Sequence, residues 1–522
     1  MKKKVKGLIV AIFFGVILVT STVAIALSGM PQQSPLDKVT ITGTPADNFP
    51  DLERPRFCET QEAKFTQYVR EYKIPTECTQ PLAITVDPQG NVWFAQTNTG
   101  MMAKFDPNTE QFTEYENPDW PQMGRSMVWG IDYSYDGNVW YTDDTYDSIW
   151  KFSTTTGDYE RVGFPSSEDS LPQHLKVAGN QIIVNDFYGG KISFFDTQQQ
   201  GEEKLYRNVP SPIPDSFVGG FDIDSYGNIW YTNWVFRQGG ALVKFDYTQF
   251  SESGFSGDNV VASQFSEAFN LPSDLGTPIG LSVDQNDNVW IADTSSSSFF
   301  KFDPISETFT KYVTSDPRPS AYGNATGVIK TPVTGPYWTQ VEDGKLIFNE
   351  QIANAIAVFD VDGEWLVEYQ VPSQNPTWAD CGSQSDCGIA QVFGFRYAGD
   401  KIWFTEWVEN NIGVVDLTQD LPFEFGLTQK QLTIPRGQTT QLDLQLVPVS
   451  NTGVILSSKT TAAFYDLTVQ ITTTNLSLTE TQVVPVSITA SPSALTGTYK
   501  VLLSARTNDV TVSQFVTVNI TP

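Results

Sequence analysis

Seven times after residue 80 the chain repeats one unit. It consists of an apolar strand, a polar turn, a second strand usually led by Trp, a short loop, and a third strand ending near "KFD". The copies read "ITVDPQGNVWFAQ", "IDYSYDGNVWYTD", "LKVAGNQIIVND", "FDIDSYGNIWYTN", "LSVDQNDNVWIAD", "TQVEDGKLIFNE" and "FRYAGDKIWFTE". Their second strands align at Trp93, Trp140, Ile183, Trp230, Trp290, Ile347 and Trp403. A period of about 40–50 residues with several strands per unit indicates propeller blades. One blade cannot bury both of its faces, so seven stack around an axis and leave few open edges. The turns "DPQGN" and "YDGN" place Gly and Asn where a tight hairpin needs positive φ.

Closure is also readable. The last unit supplies three strands, ending at "IGVVDL", and "AKFTQYVREY" (Ala63–Tyr72) resembles the outer strands "EQFTEYENP" and "ETFTKYVTSDP". The N-terminal strand is therefore expected to complete the seventh blade, which bounds the propeller at residues 57–421. Residues 422–522 lose the Trp and the blade unit but keep alternating strands, and read as an immunoglobulin-like β-sandwich. The fold class is all-β.

Lys2, Lys3, Lys4 and Lys6 precede an uncharged, mostly apolar run from Gly7 to about Met30. It is long enough to span a bilayer, so residues 1–30 read as a signal anchor and transmembrane helix with the bulk of the chain extracytoplasmic. Cleavage after Ala26 is the alternative. Residues 31–56 are Pro-rich and polar, a stalk between membrane and propeller. Export makes disulfides the default state of Cys58, Cys78, Cys381 and Cys387. Of the three possible pairings, sequence proximity favours Cys58–Cys78 and Cys381–Cys387. Asn324, Asn475 and Asn519 head glycosylation sequons. The formal net charge of −28 excludes nucleic acid as a partner, since phosphate binding needs Lys and Arg. The single His in 522 residues removes His-rich metal sites and most Ser-His or Cys-His catalysis.

The units "GNVWFAQ", "GNVWYTD" and "IWFTEWVENNIGVVD" resemble the virginiamycin B lyase (streptogramin lyase) family of seven-bladed propellers over roughly residues 60–420. The resemblance implies the propeller fold and, for those enzymes, a magnesium ion with a His base and nearby Glu. In the last blade, where the family's motif resembles Glu-x-His-Gly, this chain has "QVFG", with Gln391 and Phe393 at the Glu and His positions.

The residues ending the second strands form a column: Gln96, Asp143, Asp186, Asn233, Asp293, Glu350 and Glu406. Equivalent positions of seven blades fall on a circle. Asp143, Asp186, Asp293, Glu350 and Glu406 are therefore candidate ligands for Ca²⁺ or Mg²⁺ at an axial mouth. The alternative is that each caps its own loop. His174 aligns with Ala83, Gly130, Gly220 and Gly280 of the innermost strands and is the one candidate base. Trp129, Trp338 and Trp407, with Asn233, are candidates to contact a ligand there. The blade Trps are assigned to packing between blades. Two functions are expected: a membrane-anchored propeller binding a small ligand, a divalent cation or a cell-surface partner at its axial mouth, or a metal-dependent lyase or lactone hydrolase at the same place.

Overall fold

The computed structural model describes residues 58–522 except 122–123, 165–169, 199–206, 237, 254–263, 319–332, 377–380 and 382–386. The anchor (1–30), the stalk (31–56) and the Asn324 sequon lie outside the described residues. Among the described residues no helix is long and apolar enough to cross a membrane.

The fold starts from one hairpin. In "DPQGNVW" the Asp87 carboxylate accepts the backbone N–H groups of Gln89 (3.0 Å) and Asn91 (2.8 Å) and the indole N–H of Trp93 (2.8 Å). Asp224 repeats this with Tyr226, Asn228 and Trp230, and Asp284 with Asn286, Asn288 and Trp290. The carboxylate thus closes the turn and satisfies an indole donor that burial would otherwise leave unpaired. The αL position falls to Gly90 (φ 84°) and Gly227 (φ 84°), and in the fifth blade to Asp287 (φ 62°).

Each anchored Trp then serves two contacts. Within the blade it faces a Lys of the third strand: Trp93–Lys104, Trp140–Lys151, Trp230–Lys244 and Trp290–Lys301 are directly paired. In each pair the ammonium lies 5.6–5.9 Å from the ring centre. Between blades the ring packs on a Phe of the next third strand. Trp93 meets Phe152, Trp140 meets Phe195, Trp230 meets Phe302, Trp290 meets Phe359, and Trp403 meets Phe105, at 5.5–6.1 Å between ring centres. The last of these pairs joins the seventh blade to the first.

Six sheets have four strands in meander order, and the sixth blade (Pro336–Glu342, Lys345–Glu350, Ala355–Asp360, Trp365–Gln370) is part of a larger sheet. The seventh blade takes its outer strand from the N-terminal side: Val69–Lys73 pairs antiparallel with Asn411–Asp416. Both proximity-favoured disulfides are formed, with Cα atoms 5.9 Å apart for Cys58–Cys78 and 5.5 Å for Cys381–Cys387.

The C-terminal strands form two sheets that share one apolar cluster including Phe425, Leu444, Val486, Leu503 and Val518. One sheet has the order Phe423–Leu427, Thr439–Pro448, Gln482–Ala490, Leu467–Ile471. In the other, Val510–Thr521 is followed by Gly497–Arg506, Thr452–Thr460 and Asn475–Leu478. Both orders match an immunoglobulin-type sandwich. Val510–Thr521 also pairs antiparallel with Trp365–Gln370, so the sandwich sheet continues the sixth blade and covers its outer edge.

Asp284→Ala should strand the Trp290 indole and two backbone N–H groups and cost about 2–4 kcal/mol. Combined with Trp290→Phe, the loss should be less than additive, because both changes break one bond. Thermal unfolding of the two single variants and the double variant measures this, and strict additivity would contradict it.

Candidate functional site

Of the seven residues ending the second strands, Asp143, Asp186, Asn233 and Asp293 are bonded to loops of their own blades. All seven are buried, and most are bonded within their own blade. Asp143 accepts from Ser126 Oγ, from the Tyr146 N–H (3.1 Å) and from the Trp150 indole (2.9 Å). Asp186 accepts the N–H groups of Leu171 and Gly189, each at 2.8 Å. Asn233 accepts from Ile213 N–H (3.0 Å) and donates to Phe217 O (3.0 Å). Asp293 accepts from Thr277 N–H (2.8 Å) and from Ser295. These side chains bind the segment entering their blade to the loop leaving the second strand, which is the loop-capping role. Among the described residues no three His, Cys, Asp or Glu side chains come together in a way that could hold a metal ion. For Asp143, Asp186 and Asp293 the loop-capping reading accounts for the contacts, because N–H and O–H donors of the same blade reach their oxygens.

The longer members reach outward instead. Gln96 donates to Glu114 of the outer strand. Glu406 accepts from the Asn411 amide (2.7 Å) and faces Glu71 of the closing strand, and Glu350 faces Glu368. The three outer Glu residues each pair with a small residue, Ala103, Ala357 or Gly413, and at Gly413 the Phe404 ring fills the space a side chain would take. Burial, and then the partner carboxylate, holds Glu350 and Glu406 well above the usual carboxyl range. Asp144, beside Asp143, is pushed up to about 7 by burial and by that neighbour.

The axis is closed at this end. Leu82, Trp129, Ile279, Tyr337 and Phe393 open their innermost strands and are buried together with Phe187, Trp234 and Trp407. Trp129 of the second blade lies 6.3 Å from Tyr337 of the sixth and 5.7 Å from Phe393 of the seventh, between ring centres, so the contacts cross the axis. Gln391 and Phe393, at the lyase's Glu and His positions, are both buried.

One residue further along, the innermost strands touch. A Cβ on Gly130, Gly220, Gly280 or Gly394 would come within 2.1–2.7 Å of a carbonyl oxygen of the next blade. The two bulky residues at this level, His174 and Trp338, face each other across the axis at 5.4 Å, and His174 also packs on Phe221 at 4.8 Å. Burial, reinforced by the Lys176 cation, lowers the His174 imidazole to about 4, so it is neutral at physiological pH. Its Nδ1 has no hydrogen-bond partner.

Beyond this level lies a cavity of about 240 Å³. His174, Trp338 and Trp129 line it, and its lining runs outward to Val341 and the exposed Glu342, beside the hairpin turns. Two residues past the glycine level is a polar ring. Asp132 accepts the Val177 N–H (2.9 Å) and lies 3.7 Å from Arg396; Asp222 accepts the Val283 N–H (2.9 Å) and pairs with Lys176. Gln340 accepts the Tyr397 N–H (3.0 Å), and the Ser282 and Thr339 hydroxyls bond each other (2.9 Å). Of the expected contact residues, Trp129, His174 and Trp338 therefore meet at one cavity, whereas Asn233 and Trp407 do not line it. The ring residues were missed in the sequence. Their signal was alternation, because a strand that points His174 at the axis also points Lys176 there.

Solved structures similar in fold decide the architecture. Virginiamycin B lyase from Staphylococcus aureus superposes with a TM-score of 0.50 at 21% identity, over 68% of this chain and all of that one. A streptogramin B lyase gives 0.50 at 19%, over 67% and 97%. A catalytically inactive Staphylococcus aureus virginiamycin B lyase with quinupristin gives 0.50 at 21%, over 68% and 100%. The chain has a virginiamycin B lyase-like propeller fold. No family model and no curated protein sequence matches it. The lyase-like part accounts for about two thirds of the chain, and the likeness at this identity concerns the fold.

Two measurements follow. Glu406→Gln should remove the carboxyl that burial and Glu71 hold above its usual range. A carboxyl raised in the folded state stabilises fully below its unfolded value, about 4.3, and that stability is lost as pH rises through the folded value. The variant should therefore melt about 1–3 °C above wild type at pH 8 and level with it near pH 4; equal melting at both pH values would contradict the raised carboxyl. For His174, a lowered imidazole means that stability falls as pH drops from about 6.5 toward 4. The one His of the chain gives a single imidazole NMR signal, whose midpoint should lie near 4; a midpoint near 6.5 would contradict its burial.

Proposed function

We propose that the chain is a non-catalytic binding protein that holds a small polar ligand in the axial cavity, on the face that carries the hairpin turns. The observation that carries this reading is the asymmetry of the axis. One end is filled by aromatic and aliphatic side chains from opposite blades, and the other is an open cavity with a polar ring over a floor of His174, Trp338 and Phe221. Sites of this kind, concave and apolar with a few convergent polar groups, are where small ligands bind. In this reading the Lys-led N-terminal segment holds the protein at the membrane, and the sandwich, sharing a sheet with the sixth blade, is a spacer or a contact module for the cell surface.

The enzyme reading draws on the lyases' own chemistry. It meets Gln391 and Phe393 at the two positions where the resemblance would place acid and base, both packed inside. His174, the one imidazole, lies at the cavity floor away from that motif. Of the column carboxylates, Asp143, Asp186 and Asp293 are engaged by donors of their own blades, while Glu350 and Glu406 face the neighbouring Glu368 and Glu71.

Screening a library of small metabolites by thermal shift should yield ligands that stabilise wild type. Trp338→Ala, which removes part of the cavity floor, should lose most of the shift, and Trp407→Phe at the sealed end should retain it. Turnover of a streptogramin B or a lactone by the purified chain, with loss on chelation, would instead favour the enzyme.

A further inference from the structure

We infer that the occupant of the axial cavity is a small zwitterion with an ammonium, a carboxylate and an apolar substituent, the chemistry of a free amino acid. This rests on the reading that the cavity is the binding site. The ring carries two negative and two positive side chains, Asp132, Asp222, Lys176 and Arg396. Each carboxylate is fixed by two backbone N–H groups: Asp132 by Tyr133 (3.0 Å) and Val177 (2.9 Å), Asp222 by Ile223 (2.8 Å) and Val283 (2.9 Å). The cations stand on flexible stems, with the Lys176 and Arg396 side chains 39% and 40% exposed. Both signs are therefore within reach of a ligand.

At the level of the ring itself the two signs balance, with Glu342 an added carboxylate at the exposed rim; a single charge entering the ring meets both repulsion and attraction, whereas a dipole can be aligned so that both ends gain. Of the neutral groups near the ring, Ser282 bonds Thr339, and the Gln340 amide accepts from Tyr397 and donates to Glu342 (2.8 Å), while the buried Thr85 hydroxyl of the first blade has no partner. Below the ring, Trp338, Phe221 and the neutral His174 offer a surface for an apolar substituent. The volume, about 240 Å³, is below the range of roughly 300–1,000 Å³ usual for drug-sized ligands, which suits a molecule of amino-acid size.

The test is calorimetric titration of the full chain in detergent with L-phenylalanine, L-leucine, phenethylamine, 3-phenylpropionate and glucose. At least one amino acid should bind saturably, with the amine and the acid each weaker by roughly tenfold or more. Arg396→Gln should weaken the amino acid by a similar factor while affecting the amine little. Lys176→Gln, which leaves the backbone bonds of the ring intact, is the second variant, and circular dichroism checks that both fold. Equal or tighter binding of glucose or of a singly charged analogue, lost in Trp338→Ala, would overturn the zwitterion and leave the cavity reading standing. Binding of none of the five would overturn the zwitterion, and the cavity reading would then rest on its own library screen. Amino-acid binding unaffected by all three variants would overturn both.

Discussion

The architecture depends on a buried aspartate that receives an indole N–H. A Trp placed between blades buries a large ring, but its donor needs a partner inside the protein. Asp87, Asp224 and Asp284 supply one from the turn six residues earlier and with the same carboxylate close that turn. One side chain thereby links the hairpin to the blade interface. With the indole fixed, its two faces take a Lys from its own sheet and a Phe from the next, and repetition carries the contact from blade to blade. The second and seventh blades keep the Trp with Ser134 or Ala398 at the Asp position, and they retain the interface contacts through Trp140–Phe195 and Trp403–Phe105.

Stacked this way, the seven innermost strands converge, and what happens on the axis is decided by side-chain size. Glycine at four of the seven positions lets strands approach until only backbone separates them. Large residues just before this level fill one end, and His174 and Trp338 form a floor on the other side of it. Above the floor, carboxylates bonded to neighbouring strands bind blade to blade as the Trps do further out. The polar ring therefore has a structural part, the backbone-bonded oxygens, and an available part, the cationic heads and the remaining lone pairs.

The blades were legible because hairpin chemistry and Trp–Lys pairing are local, and strand alternation reports which faces are buried. Closure was legible because Ala63–Tyr72 shares its pattern with the other outer strands. The site was less legible for two physical reasons. Equivalent positions do fall on a circle, but nothing in the sequence sets its radius, and Asp143, Asp186 and Asp293 sit where loop N–H groups reach them first. An aromatic packed into the axis, such as Trp407, and one that lines a cavity, such as Trp129 or Trp338, also look alike in sequence. The joining of the sixth blade to the sandwich is a pairing of two strand edges from distant segments, which no local pattern announces.

The account stands or falls on which end of the axis is open. Fluorine NMR of the full chain with 5-fluorotryptophan, its signals assigned by Trp338→Phe and Trp407→Phe, reads both ends at once. A soluble shift reagent or a bound small ligand should move the Trp338 signal and leave Trp407 unchanged. Movement of Trp407 with an unresponsive Trp338 would place the opening at the end described as sealed and contradict the axial site proposed for this protein.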